Sequence, residues 1–397
     1  MNFVFISPNF PSSYWNFCDR LKSRGVNVLG IGDSPYETLC PQLRECLTEY
    51  YRVDSLEDYD KVYRAFAYLS FKHGRIDWVE SNNEFWLEQD ARLRTDFNIS
   101  TGMKLDEILH VRRKSAMKQY FEEAGVPVAR YHMVSTFEKG RDFAAEVGYP
   151  VFVKPDGGMG AVHSYKLSND DEMRHFYETR DNVPYIMEEF LCGDIWSYDG
   201  IADSRANVIF ETCTSWPPSI ADIVNEKGSL AYYTSSSLPE DLREAGRATV
   251  KAFGAKSRFF HIEYFRLRED KPGVAKKGEL AALEVNMRPA GGWTPDMFNW
   301  ANSVDVYSIW ADMVVYDKTM VDLNRKKYFA VYAGRRNAKN YVHSMREIRH
   351  RYKDRIMMDE DIPEPISDAM GDHQFTVLAD NEQEKDQFLK FALETAK

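Results

Sequence analysis

Two stretches of alternating polar and apolar residues, "RFFHIEYFRLR" (258–268) and "ELAALEVNMR" (279–288), flank the charged segment "EDKPGVAKKG". An alternation of period two marks a β-strand, and so short a connection makes the two strands a hairpin. Side chains alternate across a strand, so His261, Glu263 and Phe265 share one face of the first, and Glu284 and Asn286 share a face of the second. A turn centred near Gly273 and Val274 sets Glu263 directly opposite Glu284. Like charges so placed destabilise a sheet unless a cation lies between them. Two carboxylates and the amide oxygen of Asn286 are hard ligands that suit Mg²⁺ or Mn²⁺, with phosphate oxygens completing the shell. A solvent-facing hairpin with two exposed glutamates is the alternative. Arg288 weighs against it, because a guanidinium two residues past Asn286 projects into the same place and suits a carboxylate or phosphoryl group.

A second constraint comes from "YPVFVKPDGGMGAV" (149–162). Val151, Phe152 and Val153 read as a buried strand, which ends at Lys154 and runs into a loop carrying Gly157, Gly158 and Gly160. Without Cβ atoms, backbone N–H groups can close on a ligand, and such loops commonly cradle phosphates. A flexible surface turn beside a chance lysine is the plainer reading of the stretch alone.

The chain has 397 residues, 44% of them hydrophobic, enough for two or three domains with large cores. A net charge of −11 argues against nucleic acid or an anionic membrane as partner. Five scattered cysteines without a CxxC pair fit a reducing compartment and support neither zinc nor a disulfide framework. The start "MNFVFISPNF" lacks the basic and long apolar regions of a signal peptide, and no later stretch approaches a membrane span. The expectation is a soluble cytoplasmic protein.

The first hundred residues alternate strand and helix, which implies a parallel sheet flanked by helices. A dinucleotide fingerprint belongs after the first strand, where "SPNFPSS" stands instead. The GxG of Gly30 and Gly32 comes late in the second strand and has no third glycine, so an NAD site is not expected. Beyond about residue 320, "KKYFAVYAG" reads as a strand, followed by a basic helix, an acidic linker, and a last strand and helix.

The ordered set of Lys114 before "AGVP", then "VKPDGG", "EEFLCGDIWS", "IEYF" and "EVNMRPAGG" resembles the ATP-grasp carboxylate–amine ligases, in the branch of biotin carboxylase and the carbamoyl-phosphate synthase large chain. The resemblance spans about 105–315. It implies an ATP-grasp fold, of α/β and α+β class, with a Rossmann-like N-terminal (pre-ATP-grasp) domain over 1–105. The ATP-grasp domain would cover 106–318, with a lid at about 127–188, and 319–397 would form a small C-terminal α+β subdomain. ATP with Mg²⁺ or Mn²⁺ would be the cofactors. Lys114, eleven residues before Gly125, would touch the α-phosphate, and Lys154 would bridge the α- and β-phosphates. Gly157, Gly158 and Gly160 would fold over the phosphates. Glu188, Glu189 and the backbone near Leu191 would grip adenine, and Asp194 would take the ribose hydroxyls where the family often has a glutamate. Glu263, Glu284 and Asn286 would be metal ligands, and Arg288 would stabilise the reacting acyl or phosphoryl group.

The implied reaction joins a small-molecule carboxylate to an amine through an acyl-phosphate, with no nucleic-acid or membrane partner; a homodimer is compatible with the sequence. Two other functions keep the same fold: a bicarbonate-using carboxylase or carbamoyl-phosphate subunit, and a non-catalytic ATP-binding regulator. Neither a carrier lysine motif nor a glutaminase cysteine site is visible for the first, and Arg288 speaks against the second. The segment 213–237 reads either as an acceptor-binding loop or as a surface insertion. The cations Arg335, Arg336, Lys339, Arg346, Arg349 and Arg351 read as a solvated helix face, with anion binding as the alternative. His163 and His261 read as local hydrogen-bonding residues.

Overall fold

The computed structural model describes residues 1–158, 163–216 and 229–396. Four strands, β1 (Asn2–Ile6), β2 (Asn27–Gly32), β3 (Glu49–Arg52) and β4 (Trp78–Glu80), form a wholly parallel sheet in the order β3-β2-β1-β4. The helices Trp15–Lys22 and Tyr59–His73 pack against it and bury Phe17 and Leu21 from one, Val62, Phe66 and Leu69 from the other. Such near-continuous apolar strands are what a sheet covered on both faces requires.

A second four-stranded sheet is antiparallel. It contains β5 (Tyr131–Met133), β6 (Val151–Pro155), β7 (Tyr165–Leu167) and β8 (Tyr185–Glu189), in the order β5-β8-β6-β7. The helices Phe137–Val147 and Asp170–Thr179 cover its apolar face, burying Ala144, Met173 and Phe176 against Val151, Val153 and Met187.

The third sheet has eight strands: β9 (Gly193–Ala202), β10 (Val208–Trp216), β11 (Ala231–Thr234), β12 (Arg258–Leu267), β13 (Leu280–Asn286), β14 (Phe329–Arg335), β15 (Ile356–Asp361) and β16 (His373–Ala379). Their order is β13-β12-β9-β10-β11-β14-β16-β15. The last three strands of the chain therefore extend the sheet that carries the hairpin. The acidic linker expected after the basic helix is in fact β15 and the helix Glu364–Met370. An edge strand needs no apolar alternation and is often charged, which hides it in a sequence. The basic run is likewise not one helix face. Arg335 is buried on β14 with a hydrogen bond to the His343 carbonyl, while Arg349, on the helix Met345–Tyr352, pairs with Asp359 at 2.6 Å.

The parallel sheet has no core of its own on one side. Phe3, Phe5 and Phe17 pack with Phe259 of β12 and with Tyr307 and Trp310 of the helix Val306–Tyr316. Among the described residues no helix is long and apolar enough to cross a membrane.

Candidate active site

The hairpin register is the one its sequence predicts. Glu263 pairs with Glu284 and His261 with Asn286, and a bulge after Glu263 shifts only the later rungs. The turn between the strands carries Gly273 at φ +81°, a backbone region that glycine occupies freely. The two carboxylates feel each other. Burial, the Lys114 and Lys154 charges opposing it and the Glu263 charge reinforcing it, holds Glu284 above the ordinary carboxylate range. Burial also works against ionised Glu263, but the bond to His261 and its positive charge outweigh it, and Glu263 titrates below that range.

His261 is the hub of this arrangement. Its Nδ1 lies 2.6 Å from Asp199 Oδ1 and its Nε2 lies 2.9 Å from Glu263 Oε1. Asp199 stands opposite His261 on β9 and also accepts from the Ser197 hydroxyl. Burial disfavours a charged imidazole, yet Asp199 pushes its pKa up to about 9. The ring therefore donates to both carboxylates at neutral pH and fixes the direction of Glu263. Alternation on β12 and β9 produces the chain, because Ser197 and Asp199, like His261 and Glu263, are two residues apart and share a face.

Lysines surround the carboxylates. Lys114 begins the helix Lys114–Glu123, and its Nζ donates to the Gly158 carbonyl at 3.2 Å and lies 3.8 Å from Glu284. That helix has no side-chain cap of its own. Asp156 supplies one from the loop after β6, its carbonyl accepting from Lys114 N–H and its Oδ1 from Ser115 N–H, both at 2.8 Å. One turn along, buried Lys118 pairs with Glu188, whose other oxygen lies 2.7 Å from Lys154 Nζ. Burial lowers the Lys118 pKa, whereas Lys154 is raised because Glu188 offsets its burial. Burial alone would raise Glu188, but the two lysines hold it down at about 2.

Arg288 closes the group. Its Nη2 donates to Asn286 Oδ1 at 3.3 Å, its Nη1 to the Pro289 carbonyl at 2.9 Å, and its Nε lies 3.3 Å from Glu84 Oε2. Glu84 follows β4 in the first sheet and also pairs with Arg112.

Lys114, Lys154, Glu188, Glu263, Glu284, Asn286 and Arg288 thus converge. Adjacent residues of a strand face opposite ways, and Glu189 turns from this group to pair with Arg130 at 2.8 Å. Leu191 packs with Ala129, Leu267 and Ala281. The Asp194 carboxylate is committed to Arg268. Gly157 forms a bridge with Arg113, Gly158 takes φ +107°, and Gly160 lies outside the described residues, as does 217–228 of the expected acceptor loop. His163 is exposed and pairs with Asp181 at 3.0 Å. Sequence reasoning missed Lys118, Asp156, Asp199 and Glu84. Only Lys118 had a local signal, its place one turn after Lys114.

No group of three or more His, Cys, Asp or Glu among the described residues could hold a metal ion. Two facing carboxylates and one amide fit a hard divalent ion that takes its remaining oxygens from phosphates.

Residues 113–186 match the family model described as the carbamoyl-phosphate synthase L chain, ATP binding domain. An L-arginine-specific L-amino acid ligase of Bacillus subtilis is 23% identical over 321 residues, covering 77% of this chain and 73% of that protein. A carbamoyl phosphate synthase large chain of Clostridium botulinum is 25% identical over 198 residues, 48% of this chain but 18% of its own length. Among solved structures, an L-amino acid ligase from Bacillus licheniformis superposes with a TM-score of 0.70 at 15% identity, over 98% of this chain and 96% of that one. The biotin carboxylase domain of the Hydrogenobacter thermophilus 2-oxoglutarate carboxylase, in complex with MgADP, ADP and bicarbonate, gives 0.68 at 16%, over 98% and 89%. The chain therefore has the ATP-grasp fold of these structures over nearly its whole length, and within it residues 113–186 are similar to an ATP binding domain.

Proposed function

We propose that the protein is an ATP-dependent ligase that joins a carboxylate to an amine through an acyl-phosphate, releasing ADP and phosphate. The observation that carries this reading is the convergence on one sheet end of facing Glu263 and Glu284, Asn286 and Arg288, ringed by Lys114, Lys118 and Lys154. Such a site performs phosphoryl transfer by positioning and charge neutralisation.

In this reading Lys114 and Lys154 hold the nucleotide phosphates under the loop at Gly157 and Gly158, with Gly160 extending it. Glu188 leaves the lysines to accept from the adenine amino group, while the backbone of Glu189 and Leu191 lines the base and Asp194 takes the ribose. Glu263, Glu284 and Asn286 would hold Mg²⁺ or Mn²⁺, which supplies charge neutralisation at the phosphates when bound. His261 keeps Glu263 ionised and aimed. Arg288 meets the negative charge that develops when the carboxylate oxygen attacks the γ-phosphorus, and again when the amine displaces phosphate from the acyl carbon.

The names of the Bacillus relatives support amide formation between amino acids. The match to a biotin carboxylase domain keeps bicarbonate as the second reading of the acid. The test is ADP release with Mg²⁺ across pairs of carboxylates and amines, with bicarbonate as one acid. Release that needs both a carboxylate and an amine supports the ligase. Release with bicarbonate alone, or with no acid in the panel, overturns it.

A further inference from the structure

On the large sheet, β10 pairs with β11 only at Thr214 and Ser215, so Val208–Glu211 meet no strand on that side among the described residues. A cavity of about 420 Å³ opens beside them, within the range of about 300–1,000 Å³ usual for small-molecule sites. None of the residues that converge on the candidate active site lines it. Its wall is apolar at Val208, Phe210, Val304 and Leu323. Arg247, Arg325 and Lys327 also line it, against the single carboxylate of Glu211. That carboxylate is already engaged. It accepts from Arg247 Nε and Nη2 at 3.0 and 2.8 Å, from Arg243 Nε at 3.0 Å and from the Tyr198 hydroxyl at 2.7 Å. Arg325 donates through Nε to the Asp322 carbonyl at 3.4 Å, and neither it nor Lys327 forms an ion pair among the described residues. Burial, reinforced by Asp199, pushes the Cys213 thiol of β10 up to about 12, and the Lys327 charge opposes that rise. Lys327 thus acts toward the strand. The chain as a whole carries a net charge of −11, yet this lining has two positive charges in surplus.

We propose that this cavity binds a phosphate monoester with an apolar body, at a site separate from the candidate active site. A phosphate monoester carries about two negative charges near neutral pH, which matches the surplus of the lining. Arg325 has a guanidinium fork for two of its oxygens, Lys327 adds a point charge, and Arg247 keeps Nη1 for a third contact while it holds Glu211. Glu211 does not repel such an anion, because Arg243 and Arg247 both neutralise it. The apolar wall takes the organic part of the ester out of water, a gain that inorganic phosphate cannot make. A carboxylate on the same body brings one charge and leaves a lining cation unmatched. The proposal is independent of the ligase reading, since it uses no residue of that site.

The test is calorimetric titration of the full chain with phenyl phosphate, inorganic phosphate, phenol and benzoate, in saturating MgADP so that the nucleotide site is filled. Phenyl phosphate should bind about ten-fold or more tightly than each of the other three, the worth of one further charge-assisted hydrogen bond or one buried apolar group. Its affinity should fall as salt is raised. The double variant Arg325→Ala, Lys327→Ala should lose on the order of ten- to a hundred-fold for phenyl phosphate. Leu323→Asn should narrow the gap between phenyl phosphate and inorganic phosphate while leaving the latter unchanged. Arg325 and Lys327 are exposed, so folding should survive. Melting checks this, and Arg325→Gln with Lys327→Gln serves if the alanine pair does not fold. No binding of phenyl phosphate overturns the site. So does binding that the double variant leaves intact, which would place the anion elsewhere. Inorganic phosphate bound as tightly as phenyl phosphate would show that the apolar wall is not used, and benzoate bound as tightly would show that the cavity does not select a dianion; either result overturns the assignment.

Discussion

Arg288 is held at rest by groups that are not nucleotide ligands, Glu84, Asn286 and its own neighbour's carbonyl, so its removal separates binding from chemistry. Arg288→Ala should leave ATP binding within a few-fold of wild type while ADP release falls on the order of a hundred- to a thousand-fold, the cost of losing one preorganised transition-state donor. Equilibrium binding beside turnover checks this, and equal losses in both would make Arg288 a nucleotide anchor. Glu284→Gln should behave differently. It removes a charged candidate metal ligand without changing shape, so the Mg²⁺ concentration needed for half-maximal turnover should rise, and excess Mg²⁺ should restore part of the rate. The register that sets Glu284 against Glu263 was legible because a hairpin and its turn lie within one stretch of sequence. Glu84 and Asp199 were not, since they reach Arg288 and His261 from other elements and neither sits in a recognisable local pattern.

At the scale of the element, an ionic contact ties the four-stranded antiparallel sheet to the helix Lys114–Glu123, and it stands where nucleotide is expected. Glu188 of β8 holds Lys118 and Lys154, both partners that a phosphate or a base would claim. Nucleotide with Mg²⁺ should therefore release this contact and draw the sheet down as a lid. Hydrogen exchange at Lys154–Gly158 should slow when ATP and Mg²⁺ are added, and unchanged exchange there would speak against closure. The same contact gives a pH signature. A folded pKa of about 2, below the unfolded value, means that Glu188 contributes stability above the ordinary carboxylate range. That contribution is lost progressively as the pH falls from the unfolded value toward 2. Glu188→Gln should remove this part of the acid-side slope in melting temperature, provided the two lysines remain charged. The strand that carries Lys154 was legible from its β-branched run and the glycines after it. The cap that Asp156 places on the helix Lys114–Glu123 was not, because it joins residues 41 apart along the chain.

For the whole molecule, the boundary near residue 105 marks a change of sheet but not a break in the core. The alternation of strand and helix announced the parallel sheet. What covers it could not be read, because Tyr307 and Trp310 lie some two hundred residues beyond it. Trp310 touches Phe3, Phe5 and Phe17, with ring centroids 5.6, 6.4 and 4.9 Å away. A buried ionic group crosses the same boundary. Glu80 of β4 lies 2.8 Å from Arg94 and 3.3 Å from Arg258 of β12, with all three side chains almost wholly buried. Residues 1–105 should therefore fail to form a stable fold alone. The full chain should unfold these residues and the large sheet in one transition, followed alike by near-ultraviolet circular dichroism and by proteolysis within 1–105. Trp310→Ala should cost about 3–5 kcal/mol, the usual range for emptying a large buried aromatic site. Arg258→Met should cost less than Arg258→Ala, since it refills the volume while Arg94 still neutralises Glu80. In each variant the loss should appear equally in both probes. A first transition confined to residues 1–105 would mean that the shared core does not couple the sheets. Coupling of this kind also bears on the site, because Glu84 can meet Arg288 only while the parallel sheet stays seated on the helix that carries Trp310.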